Sequence, residues 1–213
     1  MNSPSFTDEI IQAILELDAE SLGQSIGNAR AQNADISILI NEGLTVGLRR
    51  LGDRFEKGQI FLPELMKGAR IVQENMEVLS VNIGKDAIQS RGKLLLGTVS
   101  GDLHDVGKNI VGTIFQSAGY EVIDLGIDVP ADVFVEKVRE EKPELLGLSA
   151  LLTTTVSSQG KVIEALDAAG LRDAVKIIIG GAPVSSKWAE QINADAYAED
   201  AFSGLRKAED LMA

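Results

Sequence analysis

The chain has 213 residues, a formal net charge of −12 and no cysteine. That length can bury one large core or two small ones; disulfides, thiolate catalysis and Cys-held metal centres are excluded. The acidic balance opposes nucleic acid as the main partner, because phosphate binding needs clustered Lys and Arg.

No run approaches the roughly 18 apolar residues of a membrane span, and the first residues show no secretory pattern. No membrane partner is expected, and the expected location is the cytoplasm.

Residues 1–88 carry helical periodicity. Phe6, Ile10 and Ile14 repeat at i, i+4 behind Ser5 and Asp8 in capping positions. Leu22, Ile26 and Ala29 mark a second segment. A third begins after Asp35 and strings Ile40, Leu44, Leu48, Leu51 and Phe55 along one stripe. The fourth starts near Pro63, a first-turn residue, and runs Leu65, Ala69, Val72, Met76, Leu79 and Ile83. Four amphipathic segments with short connections predict an antiparallel four-helix bundle. The polar, Gly-flanked stretch 84–92 reads as a linker.

The pattern changes from residue 93. Short apolar runs at 93–99, 121–125, 145–150, 175–179 and near 194–197 predict strands. Helical segments near 107–118, 131–141, 156–169 and 185–192, with one more after Asp200, alternate with them. Near-continuous apolar strands between helices predict an α/β fold with a five-stranded parallel sheet covered on both faces, of the flavodoxin-like doubly wound type. Ligands in such folds sit beyond the carboxyl ends of the strands. The unusual residues fall there: 101–107, 126–130, 151–155, and Gly180 with Gly181.

One of these stretches, GDLHDVGKNIV at 101–111, holds His104, the only histidine. A lone imidazole is ordinarily a surface group or a satisfied core group. Here it follows the first strand between Gly101 and Gly107, which permit a tight turn and close approach. Asp102 is placed to accept a hydrogen bond from the ring, the usual support of a metal-bound His.

The D-x-H-x-x-G motif resembles the cobalamin-binding module of corrinoid methyltransferase systems, which include methionine synthase and the small corrinoid proteins of methanol, methylamine and O-demethylase systems. GYEVIDLGIDVP at 119–130, LLGLSALLTTT at 145–155 and IIIGGAPVS at 177–185 extend the match. So do EGL at 42–44 and LGDRFEKGQIFLPELMKGAR at 51–70 in the helical half. The resemblance spans roughly residues 10–210 and implies a helical cap over 1–88 and a corrinoid-binding α/β domain over 89–213.

It implies that His104 ligates cobalt from below and that Asp102 is its partner. Thr155 stands where methionine synthase has a relay serine. Gly101, Leu103, Asp105, Val106 and Gly107 complete the ligand loop. Ser149, Leu151 and Thr153 match contacts to the nucleotide tail, Gly180 and Gly181 leave room for that tail, and Ala201 matches a further contact. Phe61, Leu62, Leu65 and Met66 are candidates for a lid on the corrin, with Leu65 and Met66 also reading as bundle core. Lys108 and Asn109 read either as solvated first-turn residues or as contacts to the corrin's amide groups.

The implied function is a methyl-carrier subunit, not catalytic by itself. It would shuttle a methyl group through cobalt between a donor-specific methyltransferase and an acceptor methyltransferase, to tetrahydrofolate or a thiol. A reductive activase would rescue the oxidised cofactor. The cap is expected to swing about the 84–92 linker. The alternative is a cobalamin-binding sensor without methyl turnover. Adenosylcobalamin mutases share the motif without this cap, and flavodoxins and response regulators fit Asp102 and Asp105 around a His poorly.

Overall fold

The computed structural model describes residues 5–81 and 91–213. Its internal contacts divide the chain into two compact units, Met1–Gln89 and Ser90–Ala213. The expected 88/89 boundary, Ile83 and all of the expected linker except Arg91 and Gly92 lie outside the described residues.

The first unit is helical: α1 (Phe6–Leu15), α2 (Ala19–Ala31), α3 (Ile36–Ile38), α4 (Thr45–Glu56) and α5 (Leu62–Val81). Ser5 caps α1 as expected. Its hydroxyl accepts the Asp8 N–H at 3.2 Å while the Asp8 carboxylate accepts the Ser5 N–H at 3.4 Å. Asp18 opens α2 by accepting the N–H groups of Glu20 and Ser21. The predicted third helix is continuous over 36–56 but contains a π-helical turn, Leu39–Leu44, between α3 and α4. Ile40, Leu44, Leu48 and Leu51 are buried along it, as the stripe requires. Small residues allow close packing here: a Cβ on Gly47 would meet Ile14 Cδ1 at 2.5 Å, and one on Gly68 would meet Leu51 Cδ2 at 2.1 Å.

The second unit alternates β1 (Lys93–Thr98), α6 (Val106–Ser117), β2 (Glu121–Asp124), α7 (Ala131–Glu141), β3 (Leu145–Ser149), α8 (Ser157–Ala168), β4 (Lys176–Gly180), α9 (Ser186–Gln191), β5 (Ala196–Ala198) and α10 (Ala201–Leu211). All pairings are parallel and the strand order is β2-β1-β3-β4-β5. That is the flavodoxin-like order, whose switch point lies between β1 and β3. The central strands are buried on both faces; Leu95, Leu146, Ile177 and Ile179 are wholly enclosed with Phe134 and Leu166. Gly97 makes room for Phe134, whose ring would lie 2.7 Å from a Cβ there.

One register row crosses the sheet near its carboxyl end: Thr98, Ser149, Gly180 and Ala198. The loops that carry the expected site all leave from this row or just beyond it. Among the described residues no helix is long and apolar enough to cross a membrane.

Candidate functional site

The chain leaves β1 through an isolated bridge between Val99 and Val129 and turns at Gly101, whose φ of +85° is open to glycine at no steric cost. The turn buries the Asp102 side chain completely and leaves that of His104 half exposed. One carboxylate oxygen, Oδ1, lies 2.7 Å from His104 Nδ1 and accepts the His104 backbone N–H at 3.1 Å. The other, Oδ2, accepts the N–H groups of Leu151 at 2.6 Å and Leu152 at 3.2 Å. It also takes the Thr155 hydroxyl at 2.7 Å.

Burial alone would push the Asp102 carboxyl up. Hydrogen bonds from the Thr155 hydroxyl, the His104 ring and the amides of Leu151 and His104 outweigh it and hold the group well below the usual carboxylate range. Asp102 is therefore an ionised acceptor. An ionised carboxylate cannot donate, so Nδ1 carries the proton in the neutral ring and Nε2 keeps its lone pair.

Around the half-exposed imidazole the carboxyl-end loops present apolar side chains to the outside. Leu103 and Val106 follow β1, Ile127 follows β2, and Leu151 and Leu152 follow β3; all are exposed. Gly107 faces open space: beyond its chain neighbours and the backbone of its own helix, nothing among the described residues lies within 4 Å of where its Cβ would be. No group of three or more His, Cys, Asp or Glu residues able to hold a bare metal ion occurs among the described residues.

The structure thus brings Asp102, His104, Thr155 and Leu151 into one hydrogen-bonded cluster. Gly101 faces Thr155, where a Cβ would lie 3.5 Å from its methyl group. Asp105 precedes α6 and accepts from the Asn109 side chain at 3.2 Å. Ser149 and Gly180 pair in the register row. Thr153 is exposed in the loop after β3, and Ala201 is buried at the start of α10.

At the two expected tail glycines a Cβ would meet the protein's own backbone. It would lie 1.8 Å from Ala150 O at Gly181 and 3.2 Å from Ala198 O at Gly180. Phe61, Leu65 and Met66 belong to the other unit. Phe61 and Leu62 are exposed there, Leu65 is buried and Met66 is half-buried. Lys108 is not solvated, since only 2% of its side chain is exposed. It pairs with Asp124 and donates to Asn109 Oδ1 at 2.9 Å.

Three supports of the site escaped the sequence. The Thr98 hydroxyl donates to the His104 carbonyl at 2.9 Å. Asp128 accepts the Gly101 N–H at 2.7 Å. The buried Gln159 amide donates to Leu148 O and Gly180 O and accepts the Trp188 indole N–H, locking the ends of β3 and β4 together. The available signal was position alone, since Asp128 lies in the 126–130 loop at the ligand end of the sheet.

A parallel sheet with a carboxylate-backed imidazole at its switch point defines a doubly wound α/β protein, the class whose ligands sit beyond the carboxyl ends of the strands. Residues 92–206 match the family model of the B12 binding domain, and residues 7–80 match a second model of the same description. The chain is 41% identical over 204 residues to dimethylamine corrinoid protein 3 of Methanosarcina acetivorans, covering 96% of this chain and 95% of that one. A cobalamin-binding protein from Desulfitobacterium hafniense superposes with a TM-score of 0.83 at 36% identity, over 95% of this chain and 96% of the other. The methanol:cobalamin methyltransferase complex of Methanosarcina barkeri gives 0.84 at 30% identity, over 99% and 81%. The chain belongs to the B12-binding corrinoid proteins.

Proposed function

We propose that this chain is the methyl-carrier subunit of a multi-component methyltransferase system and that His104 Nε2 is its cobalt ligand. The carrying observation is the 2.7 Å contact between His104 Nδ1 and the buried, ionised Asp102. It fixes the ring's tautomer with Nε2 bare, the arrangement that suits a metal-bound imidazole.

The residues fit a corrinoid. A single nitrogen donor suits a metal whose other ligands come from a macrocycle. The exposed rim of Leu103, Val106, Leu151 and Leu152 suits the ring's apolar face. The open space at Gly107 suits its close approach. A bound corrinoid supplies cobalt, which accepts a methyl group and passes it on.

The protein's own share is to hold and release. Asp102 orients the ring, and the Leu151 and Leu152 amides with the Thr155 hydroxyl orient Asp102. Were Nε2 released from a metal, a proton taken up there would leave the ring cationic beside the Asp102 carboxylate, across the same Nδ1–H···Oδ1 bond. Thr155, Asp102 and His104 would thereby couple ligation to proton uptake.

One methyltransferase loads the carrier and a second unloads it, to tetrahydrofolate or a thiol. A reductive activase restores oxidised cofactor. The relatives' names make dimethylamine and methanol the first donors to try.

Reconstitution with cobalamin tests the ligand: His104→Ala should bind the cofactor but lose the imidazole-ligated spectrum, and an unchanged spectrum would sink the assignment. Methylation assays across a donor panel test the carrier role. Tight binding with no methyl turnover from any donor would leave a sensing module instead.

A further inference from the structure

We infer that Asp128 is a positioning residue that latches the His104 loop from the neighbouring strand end, so that the ring's tautomer depends on a side chain outside the Asp102–His104–Thr155 cluster. The inference rests on the reading of His104 as the working imidazole only for its consequence in the loaded protein; the latch itself is a property of the chain.

Asp128 grips the turn at two points. Its carboxylate Oδ1 accepts the Gly101 N–H at 2.7 Å, and its own N–H donates to the Asp102 carbonyl at 3.0 Å. The Ser100 hydroxyl lies 3.5 Å from the same Oδ1. These bonds bracket the peptide that carries Asp102 into the site, whereas the bonds from Leu151, Leu152 and Thr155 go to its carboxylate.

The latch is itself anchored. Val129, the next residue, bridges to Val99 and donates its N–H to Thr98 O at 3.0 Å, so the 126–129 segment extends the sheet beside β1. Asp128 reaches Gly101 only because its backbone turns left-handed, with φ at +53°. That conformation is uncommon outside glycine, and Asp and Asn are among the side chains that tolerate it. An aspartate here meets two requirements at once, a left-handed backbone and a short acceptor.

The geometry gives the latch its effect. The Asp102 N–H donates to Val99 O at 3.1 Å and its carbonyl accepts the Asp128 N–H, while the Asp128 carboxylate fixes the Gly101 peptide just before it; the 2.7 Å approach of Oδ1 to Nδ1 depends on that backbone staying in place. With the latch removed, the Asp102 carboxylate keeps its bonds to Leu151 and Leu152, and the turn behind it loosens. The bond to the ring, which is half exposed, is then the one to lengthen.

A single histidine makes the test clean. In tag-free, full-length protein without cofactor, the ¹⁵N spectrum in mildly alkaline solution reports one imidazole. The wild type should show Nδ1 protonated, Nε2 bare, and the Nδ1 proton protected from exchange. Asp128→Ala, which loses both acceptor and backbone preference, should lose that protection and shift the ring toward a mixture of tautomers. Asp128→Asn, whose amide oxygen accepts from Gly101 and whose backbone tolerates the turn, should keep the wild-type signals. Asp128→Gly restores the backbone without the acceptor and should follow Asp128→Ala, which also guards against a variant that fails to fold.

Loaded with cobalamin, Asp128→Ala and Asp128→Gly should show a larger share of the spectrum lacking imidazole ligation. Wild-type ring signals in a folded Asp128→Ala protein would overturn the latch. A wild-type Asp128→Gly beside a disturbed Asp128→Ala would reduce Asp128 to a backbone preference and overturn the carboxylate's part. An unchanged cobalamin spectrum in His104→Ala, with the ring signals behaving as stated, would remove the ligand reading and leave the latch intact.

Discussion

Asp102 joins two loops through its two oxygens: Oδ1 meets His104 Nδ1 at 2.7 Å, and Oδ2 takes the Thr155 hydroxyl at the same distance. His104 leaves from β1 and Thr155 from β3, so the carboxylate sits across the switch point where the strand order reverses. Orientation of the imidazole is therefore coupled to the loop that opens α8, and each member of the cluster has an effect beyond its own contacts.

Asp102→Asn should reverse the tautomer of His104. The amide has one acceptor where the carboxylate has two. Turning its oxygen toward the Leu151 and Leu152 amides satisfies those two donors, leaves one N–H, that of His104, without its acceptor, and sets the NH₂ facing Nδ1. The ring must then accept at Nδ1 and carry its proton on Nε2, where it can no longer ligate a metal. The opposite rotamer would set NH₂ against two buried N–H groups, at about 1–3 kcal/mol for each unsatisfied donor. The ¹⁵N spectrum of the lone histidine reads the tautomer, and a bare Nε2 in this variant would contradict the account.

Thr155→Val keeps the shape and removes the hydroxyl, at about 1.5–3 kcal/mol for a bond to a charged acceptor. Its pH dependence follows from the depressed Asp102 carboxyl. A folded-state value below the unfolded 3.8 contributes stability that is fully present above 3.8 and is lost as pH falls through the folded value. The unfolded contribution is common to both proteins, so the wild-type advantage over Thr155→Val should stay level from neutral pH downward and narrow only as pH falls through the variant's folded carboxyl value, which lies above the wild type's. Thr155→Ser, which keeps the hydroxyl, should track the wild type. Urea unfolding across pH measures all three, and an advantage that stays constant to the lowest pH at which both proteins fold would show that Thr155 does not act through Asp102.

Much of this was legible because each strand is a short apolar run and each helix an apolar stripe. Those patterns follow from burial on two faces or on one. Even the strand ends are close; β4 is shifted by a single residue, Lys176–Gly180 against an expected 175–179. The π-turn at Leu39–Leu44 was invisible because one extra residue in one turn leaves Ile40, Leu44 and Leu48 on the same buried stripe. Lys108 read as solvated or as a cofactor contact because its partner, Asp124, stands at the end of β2 and meets α6 only in the fold. Asp128 was hidden for the same reason: its acceptor role exists only once β2 lies beside β1. Thr155 was found by resemblance, and composition would not have singled it out from Thr153 and Thr154.

The diglycine separates two demands that the sequence runs together. At Gly181 φ is +125°, and a Cβ would lie 1.8 Å from Ala150 O, with backbone rather than a movable side chain in the way. Gly181→Ala should cost about 3 kcal/mol or more before any cofactor is present. At Gly180 the nearest atom is Ala198 O at 3.2 Å. Gly180→Ala should therefore fold with a loss of about 1 kcal/mol. If Gly180 also leaves room for the nucleotide tail, this variant should bind cobalamin more weakly and a corrinoid lacking the nucleotide as well as the wild type does. Equal weakening for both corrinoids would end the tail reading.

Lys108 and Asp124 form an unequal pair, and the inequality can be measured. Only 2% of the Lys108 side chain is exposed, whereas 44% of Asp124 is. Replacing Lys108 by Met removes the buried charge and leaves a carboxylate that water can reach and that still accepts the Gly126 N–H at 2.8 Å. That change should cost about 1 kcal/mol, because an apolar chain of similar length fills the space without a desolvation penalty. Asp124→Asn keeps an acceptor but strips the counter-charge from an ammonium that cannot move to solvent, and should cost about 3 kcal/mol. The double variant should return close to Lys108→Met, because Asp124 matters chiefly through the lysine. Urea unfolding of the three variants gives the comparison. Equal losses in the two single variants would mean that Lys108 reaches water in solution and that the first turn of α6 is held by something other than this pair.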